Sequence, residues 1–294
     1  MIFSSSMKKI AIVPAYNEEA SLPAVLRSLR EEAPGFDVVV INDGSTDGTS
    51  ATARAFAGVK VVDLPTNVGI GGAVQTGFLF ARAGGYDLAV QVDGDGQHMP
   101  SEIGKIAAPV ISGAADAAIG SRFVLVRGNK PREGTAEAGL RARPGAPADP
   151  VVSDDLVDSV VRDELVVADV ADVADDVENA VFRGSPFRRA GIRIFQALNA
   201  LLLGERITDS TSGFRAFNRR AIEVLSVNYP DDYPEPEAIY ILKKKGLRIV
   251  EVPVLMAGRA AGRSSIGFWH SLYYMVKVCL AIFVLQMRRD DRAE

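Results

Sequence analysis

Cysteine is almost missing from this chain: Cys279 is the only one among 294 residues. No disulfide can close within one copy, and no metal site can be built from several thiolates. The scarcity suits a reducing cytoplasm. Aromatic residues make up only 7% of the chain, and no strongly basic stretch is interleaved with them. That argues against nucleic acid as a partner. There is no Gly-Lys-Ser or Gly-Lys-Thr tripeptide, so a Walker phosphate loop is excluded. Residues 1–6 lack the charged-then-apolar layout of a signal peptide, and Met7 ahead of Lys8-Lys9 reads as an equally good start. A clean membrane-spanning run is also missing. Phe268 to Met287 is mostly apolar but is broken by His270, Ser271 and Lys277, and Arg288, Arg289 and Arg292 follow it. It reads as an interfacial or docking helix with a basic edge, or as a plain core helix, rather than a span.

Apolar residues are plentiful, at 48% of the chain, which is enough for a full core. The net charge is −4. Eleven acidic residues and one arginine fall between Asp149 and Glu178, so that stretch carries −10 and the remainder +6. A mildly basic body is compatible with phosphorylated ligands or an anionic membrane surface. Residues 124–184 stand apart in composition. Arg141 to Pro150 is rich in Pro and Ala, and Asp154 to Glu178 alternates Val with Asp. The stretch reads as an acidic insertion.

The N-terminal half alternates strand and helix signals. Strands are expected at Lys9–Val13, Asp37–Ile41, Val59–Val62, Leu88–Val92 and Ala115–Ile119. Between them, Leu22, Val25, Leu26 and Leu29 make one helical stripe, and helices are expected at Ser50–Phe56, Gly72–Ala83 and Ser101–Ile111. Further on, Ile192–Leu203 and Ala238–Lys245 read as helices and Arg248–Val252 as a strand. A β-α-β rhythm implies an α/β fold with a mostly parallel sheet covered by helices. Ligands bind such sheets beyond the carboxyl ends of the strands. Three of those ends carry polar turns: Pro14-Ala15-Tyr16-Asn17-Glu18, Asn42-Asp43-Gly44-Ser45 and Asp93-Gly94-Asp95.

The last turn poses the sharpest question, because a buried strand ends there in two carboxylates one residue apart. A calcium loop counted from Asp93 would need Gly at position six and Glu at twelve; His98 and Gly104 stand there. Gly69 and Gly71 do not begin a dinucleotide fingerprint, which would want glycine in place of Val74. Beside the plain alternative of a solvated turn, two such carboxylates can share a hard divalent cation or place one on a metal and one on a ribose, and Mg²⁺ is usually held by only one or two carboxylates plus substrate phosphates. His98 is expected to be a structural part of this turn, and His270 to pack or face solvent.

Five motifs occur in order: Pro14-Ala15-Tyr16-Asn17-Glu18-Glu19, Asp43-Gly44-Ser45-Thr46-Asp47-Gly48-Thr49, Asn67-Val68-Gly69-Ile70-Gly71, Asp93-Gly94-Asp95-Gly96-Gln97-His98 and Ser212-Gly213-Phe214-Arg215. Together they resemble family 2 glycosyltransferases of the GT-A fold, above all the branch that transfers sugars to dolichyl or polyprenyl phosphate. The resemblance spans residues 8–123 and 185–270. This chain has Gly94 and Met99 where the branch often has Ala and Asp.

The resemblance implies a nucleotide-sugar-binding half at 7–123, an acceptor-side half at 185–265 and the apolar, basic segment at 266–294. Pro14, Ala15, Tyr16 and Glu18 would line the nucleotide pocket, and Asp43 would face the base or its ribose. Asp93, Asp95 and Gln97 would hold Mg²⁺ or Mn²⁺, with Asp95 in direct contact. Arg122 and Arg215 would hold a diphosphate or an acceptor phosphate, although an arginine serves a structural ion pair in either place as readily. Glu237 would be a base or metal-associated group, or simply a helix-capping one. Arg263 and Ser264 would belong to a mobile phosphate loop near the acceptor.

The implied reaction is inverting transfer from a nucleoside-diphosphate sugar to a polyprenyl phosphate at the cytoplasmic membrane face. Transfer to a hydroxyl of a cell-envelope glycan, or an inactive nucleotide-sugar-binding scaffold, are the alternatives.

Overall fold

A computed structural model of the protein describes residues 7–122, 207–230, 234–256 and 277. The acidic stretch 124–184, the expected helix at 192–203, the loop bearing Arg263 and Ser264, and the C-terminal apolar segment apart from Lys277 lie outside the described residues.

Seven strands form one sheet: β1 (Lys9–Ala15), β2 (Asp37–Asn42), β3 (Val59–Asp63), β4 (Leu88–Gln91), β5 (Ala117–Ser121), β6 (Arg215–Asn218) and β7 (Ile249–Pro253). Their order across the sheet is β3-β2-β1-β4-β6-β5-β7. All pairs are parallel except those made by β6, which runs antiparallel to both β4 and β5. The helices are α1 (Leu22–Glu32), α2 (Thr49–Arg54), α3 (Gly69–Ala83), α4 (Ile103–Ile111), α5 (Arg219–Val227) and α6 (Pro234–Lys244). A 3₁₀ turn at Pro100–Glu102 leads into α4. This is the expected α/β sheet of mixed but mostly parallel strands.

The near-continuous apolar strands are explained by burial on both faces. Along β1, Ala11 and Val13 point into the core beneath α1 and α4, while Ile10 and Ile12 point into the core shared with α3 and α5. Adjacent side chains of a strand alternate in this way, so every position of such a strand is apolar. The stripe Leu22, Val25, Leu26 and Leu29 of α1 lies wholly in the first core, no member more than 4% exposed. Each such side chain contributes about 1.5–3 kcal/mol.

The chain runs β1, β2, β3 outward in one direction and then returns to place β4 on the other side of β1. That reversal leaves a crevice above the carboxyl ends of β1 and β4, where open α/β sheets bind ligands.

Two elements were not foreseen. The strand β6 has four residues and begins with a buried arginine, so it carries no alternation. The helix α5 carries a readable signal: Asn218 caps it, accepting the Ala221 N–H, and Ala221, Ile222 and Leu225 form the buried stripe. A third element begins earlier than expected. The helix α6 starts at Pro234, four residues before Ala238, because prolines are tolerated in a first turn where the N–H has no helical partner. Pro234 and Pro236 are thus both helical.

Candidate active site

The rim above β1 and β2 is knitted from its own motifs. Asn17 adopts a left-handed backbone (φ 55°), a conformation that asparagine tolerates. Its side-chain oxygen accepts the Thr46 N–H at 2.9 Å, and its own N–H donates to Ser45 Oγ at 3.0 Å. The next two residues continue the seam. The Glu18 N–H donates to Thr49 Oγ1 at 2.9 Å, and Glu19 accepts the Gly48 N–H at 2.9 Å. The two loops therefore move as one wall.

Asp43, only 3% exposed, reaches from the end of β2 to the entrance of α3. Its two oxygens accept the N–H groups of Val68 and Gly69 at 2.8 and 3.0 Å. Gly44 makes this approach possible. Its φ is +65°, and a Cβ there would lie 2.6 Å from the backbone of Thr66 and Asn67.

A cleft of about 300 Å³ opens between these elements. Its lining includes Pro14, Ala15, Tyr16, Glu18, Asp43 and Ile70 together with Asp93 and Asp95. The residues expected around a nucleotide thus share a single cavity with the two aspartates; only Arg122 is not among its lining. Tyr16 is 47% exposed at the mouth, an aromatic face open to a planar ring.

The turn after β4 is tightly organised. The Asp93 N–H donates to His98 Nδ1 at 3.0 Å, which places the ring proton on Nε2, 3.6 Å from Asp93 Oδ2. The imidazole stacks on Phe214 with centroids 4.9 Å apart. A bridge between His98 and Met256 ties the turn to the segment after β7. Asp95 accepts the Gln97 N–H at 3.0 Å and its side-chain amide at 2.5 Å. In this arrangement Gln97 orients Asp95 with its amide nitrogen.

Asp93 has no lysine or arginine within ion-pair distance among the described residues, although it is one third exposed and stands two residues from a second carboxylate. Among the described residues no group of three or more His, Cys, Asp or Glu side chains could hold a metal. Two carboxylates facing one cleft fit a hard cation completed by phosphate oxygens, and do not fit a cage made by protein alone.

The two arginines lie elsewhere. Arg215 is 1% exposed and donates to three carbonyls: Nε to Ser212 at 2.7 Å, Nη1 to Glu235 at 2.7 Å and Nη2 to Ser210 at 2.8 Å. It braces the segment before β6 and the start of α6 from below, a structural placement rather than an open phosphate clamp. Arg122 grips Asp209 with Nε and Nη2, both at 2.8 Å, and its backbone N–H donates to the same carboxylate at 3.1 Å. That pair holds the end of β5 to Asp209, and Glu251 of β7 accepts the N–H groups of Thr208 and Asp209, each at 2.8 Å. Burial pushes the Glu251 carboxyl up, offset by those N–H donors.

Glu237 is buried in the first turn of α6. Glu235, in the same turn, feels the aspartate turn. Burial first, and the charge of Asp93 in addition, push its pKa up, while Arg215 pulls it down. Two helix positions are about 200° apart, so the two glutamates occupy different faces. Tyr229, buried beside them, has its phenol pushed far up by burial and by Glu235. Neither Glu235 nor Tyr229 stands out in the sequence; Glu237 marks the region but not the face.

Solved structures share this architecture. Glucosyl-3-phosphoglycerate synthase from Mycobacterium tuberculosis, crystallised with Mn²⁺, UDP-glucose and phosphoglyceric acid, superposes with a TM-score of 0.57 at 19% identity, over 94% of this chain and 80% of that one. The fold is therefore GT-A. An undecaprenyl-phosphate mannosyltransferase of Micrococcus luteus is 29% identical over 88% of this chain and 87% of its own length. A UDP-N-acetylglucosamine–dolichyl-phosphate N-acetylglucosaminyltransferase of Methanococcus voltae is 28% identical over 83% of each. Residues 10–144 match the model of glycosyl transferase family 2. With these motifs on this fold, the chain belongs to glycosyl transferase family 2.

Proposed function

We propose that this glycosyltransferase moves a sugar from a nucleoside diphosphate to a polyprenyl phosphate, with inversion and with Mg²⁺ or Mn²⁺ bound. The observation that carries the donor half is the common cleft: one cavity of about 300 Å³ lined by Pro14, Ala15, Tyr16, Glu18 and Asp43 together with Asp93 and Asp95. The acceptor half is supported by the relatives, two of which are named for transfer to undecaprenyl or dolichyl phosphate. They differ in sugar, so the sugar is left to experiment.

Tyr16 and the wall behind it receive the base, and the knitted loops fix the ribose end. Asp93 and Asp95 would hold the cation beside the diphosphate, with Gln97 setting the orientation of Asp95. When bound, the metal acts as a Lewis acid that stabilises charge developing on the departing diphosphate. A lipid phosphate is already anionic and attacks the anomeric carbon from the opposite face without a general base. Positioning and preorganised charge then supply most of the acceleration. Arg263 and Ser264 are assigned to the acceptor phosphate, and the apolar segment 266–294 to the cytoplasmic membrane surface, where the protein is peripheral. A hydroxyl acceptor is the second reading, favoured by the carboxylates in the first turn of α6, of which Glu237 is the assigned base.

The test incubates the protein with radiolabelled GDP-, UDP- and dTDP-sugars, polyprenyl phosphate and Mn²⁺. Label extracted into organic solvent is the expected product. Label found only on soluble or polymeric glycans contradicts the lipid acceptor.

A further inference from the structure

We propose that Gln91 is a positioning residue: it holds the carboxylate of Asp93 in the orientation that receives the cation. The inference rests on the reading of Asp93 and Asp95 as cation ligands.

Gln91 is an anomaly in its strand. The strand β4 reads Leu-Ala-Val-Gln and is buried at every position; Gln91 itself is 1% exposed. It lies between Ile12 of β1 and Arg215 of β6, at the centre of the sheet. A residue in such a place is expected to be apolar. Its amide nitrogen donates to Asp93 Oδ1 at 3.3 Å. Its amide oxygen is buried and has no partner, alone among the buried side-chain polar atoms of the described residues. An orphaned buried acceptor costs about 1–3 kcal/mol. Apolar residues of similar volume avoid that cost, so the glutamine is retained at the expense of stability. What it gains is one donor aimed at one carboxylate oxygen.

The surroundings are shaped for the same contact. A Cβ on Gly213 would lie 3.1 Å from Gln91 Nε2 and 3.3 Å from Asp93 Oδ2, so the bare glycine leaves room where amide and carboxylate meet. His98 holds the backbone N–H of Asp93 and faces its other oxygen. Asp93, a lining residue of the cleft, thus has its carboxylate fixed between Gln91, Gly213 and His98. Groups that orient a metal-binding carboxylate typically change affinity by roughly 10–100-fold when removed.

Gln91→Met is near-isosteric and removes both the donor and the orphaned oxygen. Two quantities are measured: the melting temperature, and Mn²⁺ binding by electron paramagnetic resonance with GDP and with UDP present. The expected result is a melting temperature equal to or above that of the parent protein, with Mn²⁺ affinity lower by roughly tenfold. Mn²⁺ affinity within twofold of the parent overturns the proposal. Gly213→Ala, which keeps Gln91 but crowds the contact, provides a second route to the same loss should the first variant fold poorly; affinity within twofold there, too, counts against it. If the parent protein itself binds no Mn²⁺ with either nucleotide, the cation-site reading fails, and this inference falls with it. Binding by the parent and unchanged binding by both variants refutes the inference alone.

Discussion

Replacing Arg215 separates a structural arginine from a phosphate-binding one. Three buried carbonyls, those of Ser210, Ser212 and Glu235, take its three nitrogens at 2.7–2.8 Å. Arg215→Met leaves the Ser210 and Ser212 carbonyls without that donor, while the Glu235 carbonyl, inside α6, keeps its helical N–H partner. Each orphaned acceptor costs about 1–3 kcal/mol, about 2–6 kcal/mol for the two. That is a large share of the roughly 5–15 kcal/mol that holds a domain together. At about 2–4 °C per kcal/mol the melting temperature falls by roughly 10 °C. Arg215→Lys, a single flexible ammonium, recovers only part of the loss. The assay is thermal and urea denaturation beside turnover, measured well below the melting point. An Arg215→Met protein that melts within about 2 °C of the parent while losing turnover refutes the structural reading and restores this arginine to the phosphate.

The remaining predictions concern other parts of the rim. Gly44→Ala forces a Cβ into a left-handed turn against the backbone of Thr66 and Asn67. It is expected to cost about 1–3 kcal/mol and to raise the donor KM, read by melting and kinetics. Asp63 is held at about 2 by hydrogen bonds from Ser50, Arg54 and Asn42. Its folded pKa is depressed, so its contribution is present above about pH 4 and is lost as the pH falls toward 2. Asp63→Asn should therefore flatten the acid limb of stability in that window and lower stability at neutral pH; an unchanged acid limb contradicts the assignment. Glu237→Gln is expected to retain lipid-product turnover, since a phosphate acceptor needs no base; abolished turnover with donor binding intact favours the hydroxyl acceptor. Chelation should stop turnover and added Mn²⁺ restore it in the parent protein, and Asp95→Asn should blunt that restoration.

Periodicity makes the N-terminal half of the fold legible. The strands β1, β2 and β4 and the stripe of α1 follow from apolar runs buried on both faces and from 3.6-residue spacing, and the edge strand β3 from a partly buried Val-rich run. The strand β6 escaped because Arg215 starts it, and nothing local announces that a buried arginine will be satisfied by carbonyls of distant segments. The same limit applies to Arg122. Its chemistry suits a phosphate equally well, and only tertiary pairing with Asp209 shows where its donors go. The aspartate turn was recognisable because two carboxylates end a buried strand. The supports of that turn were not, since Gln91, Gly213 and Phe214 meet only when β4 and the segment before β6 come together. Asn17, Ser45 and Thr49 carry motif positions yet serve each other, as hydrogen bonds between two loops.

On the proposed reading, Asp93 and Asp95 would together hold a cation beside the diphosphate of a sugar nucleotide. Crystals grown with Mn²⁺ and a nucleoside diphosphate, measured at the manganese absorption edge, test it most directly. The account predicts one strong anomalous peak in the cleft, about 2.2 Å from an oxygen of Asp95 and in contact with phosphate oxygens, with Asp93 turned toward it. A nucleotide seated in the cleft with no peak beside these carboxylates, or with manganese bound elsewhere, would contradict it.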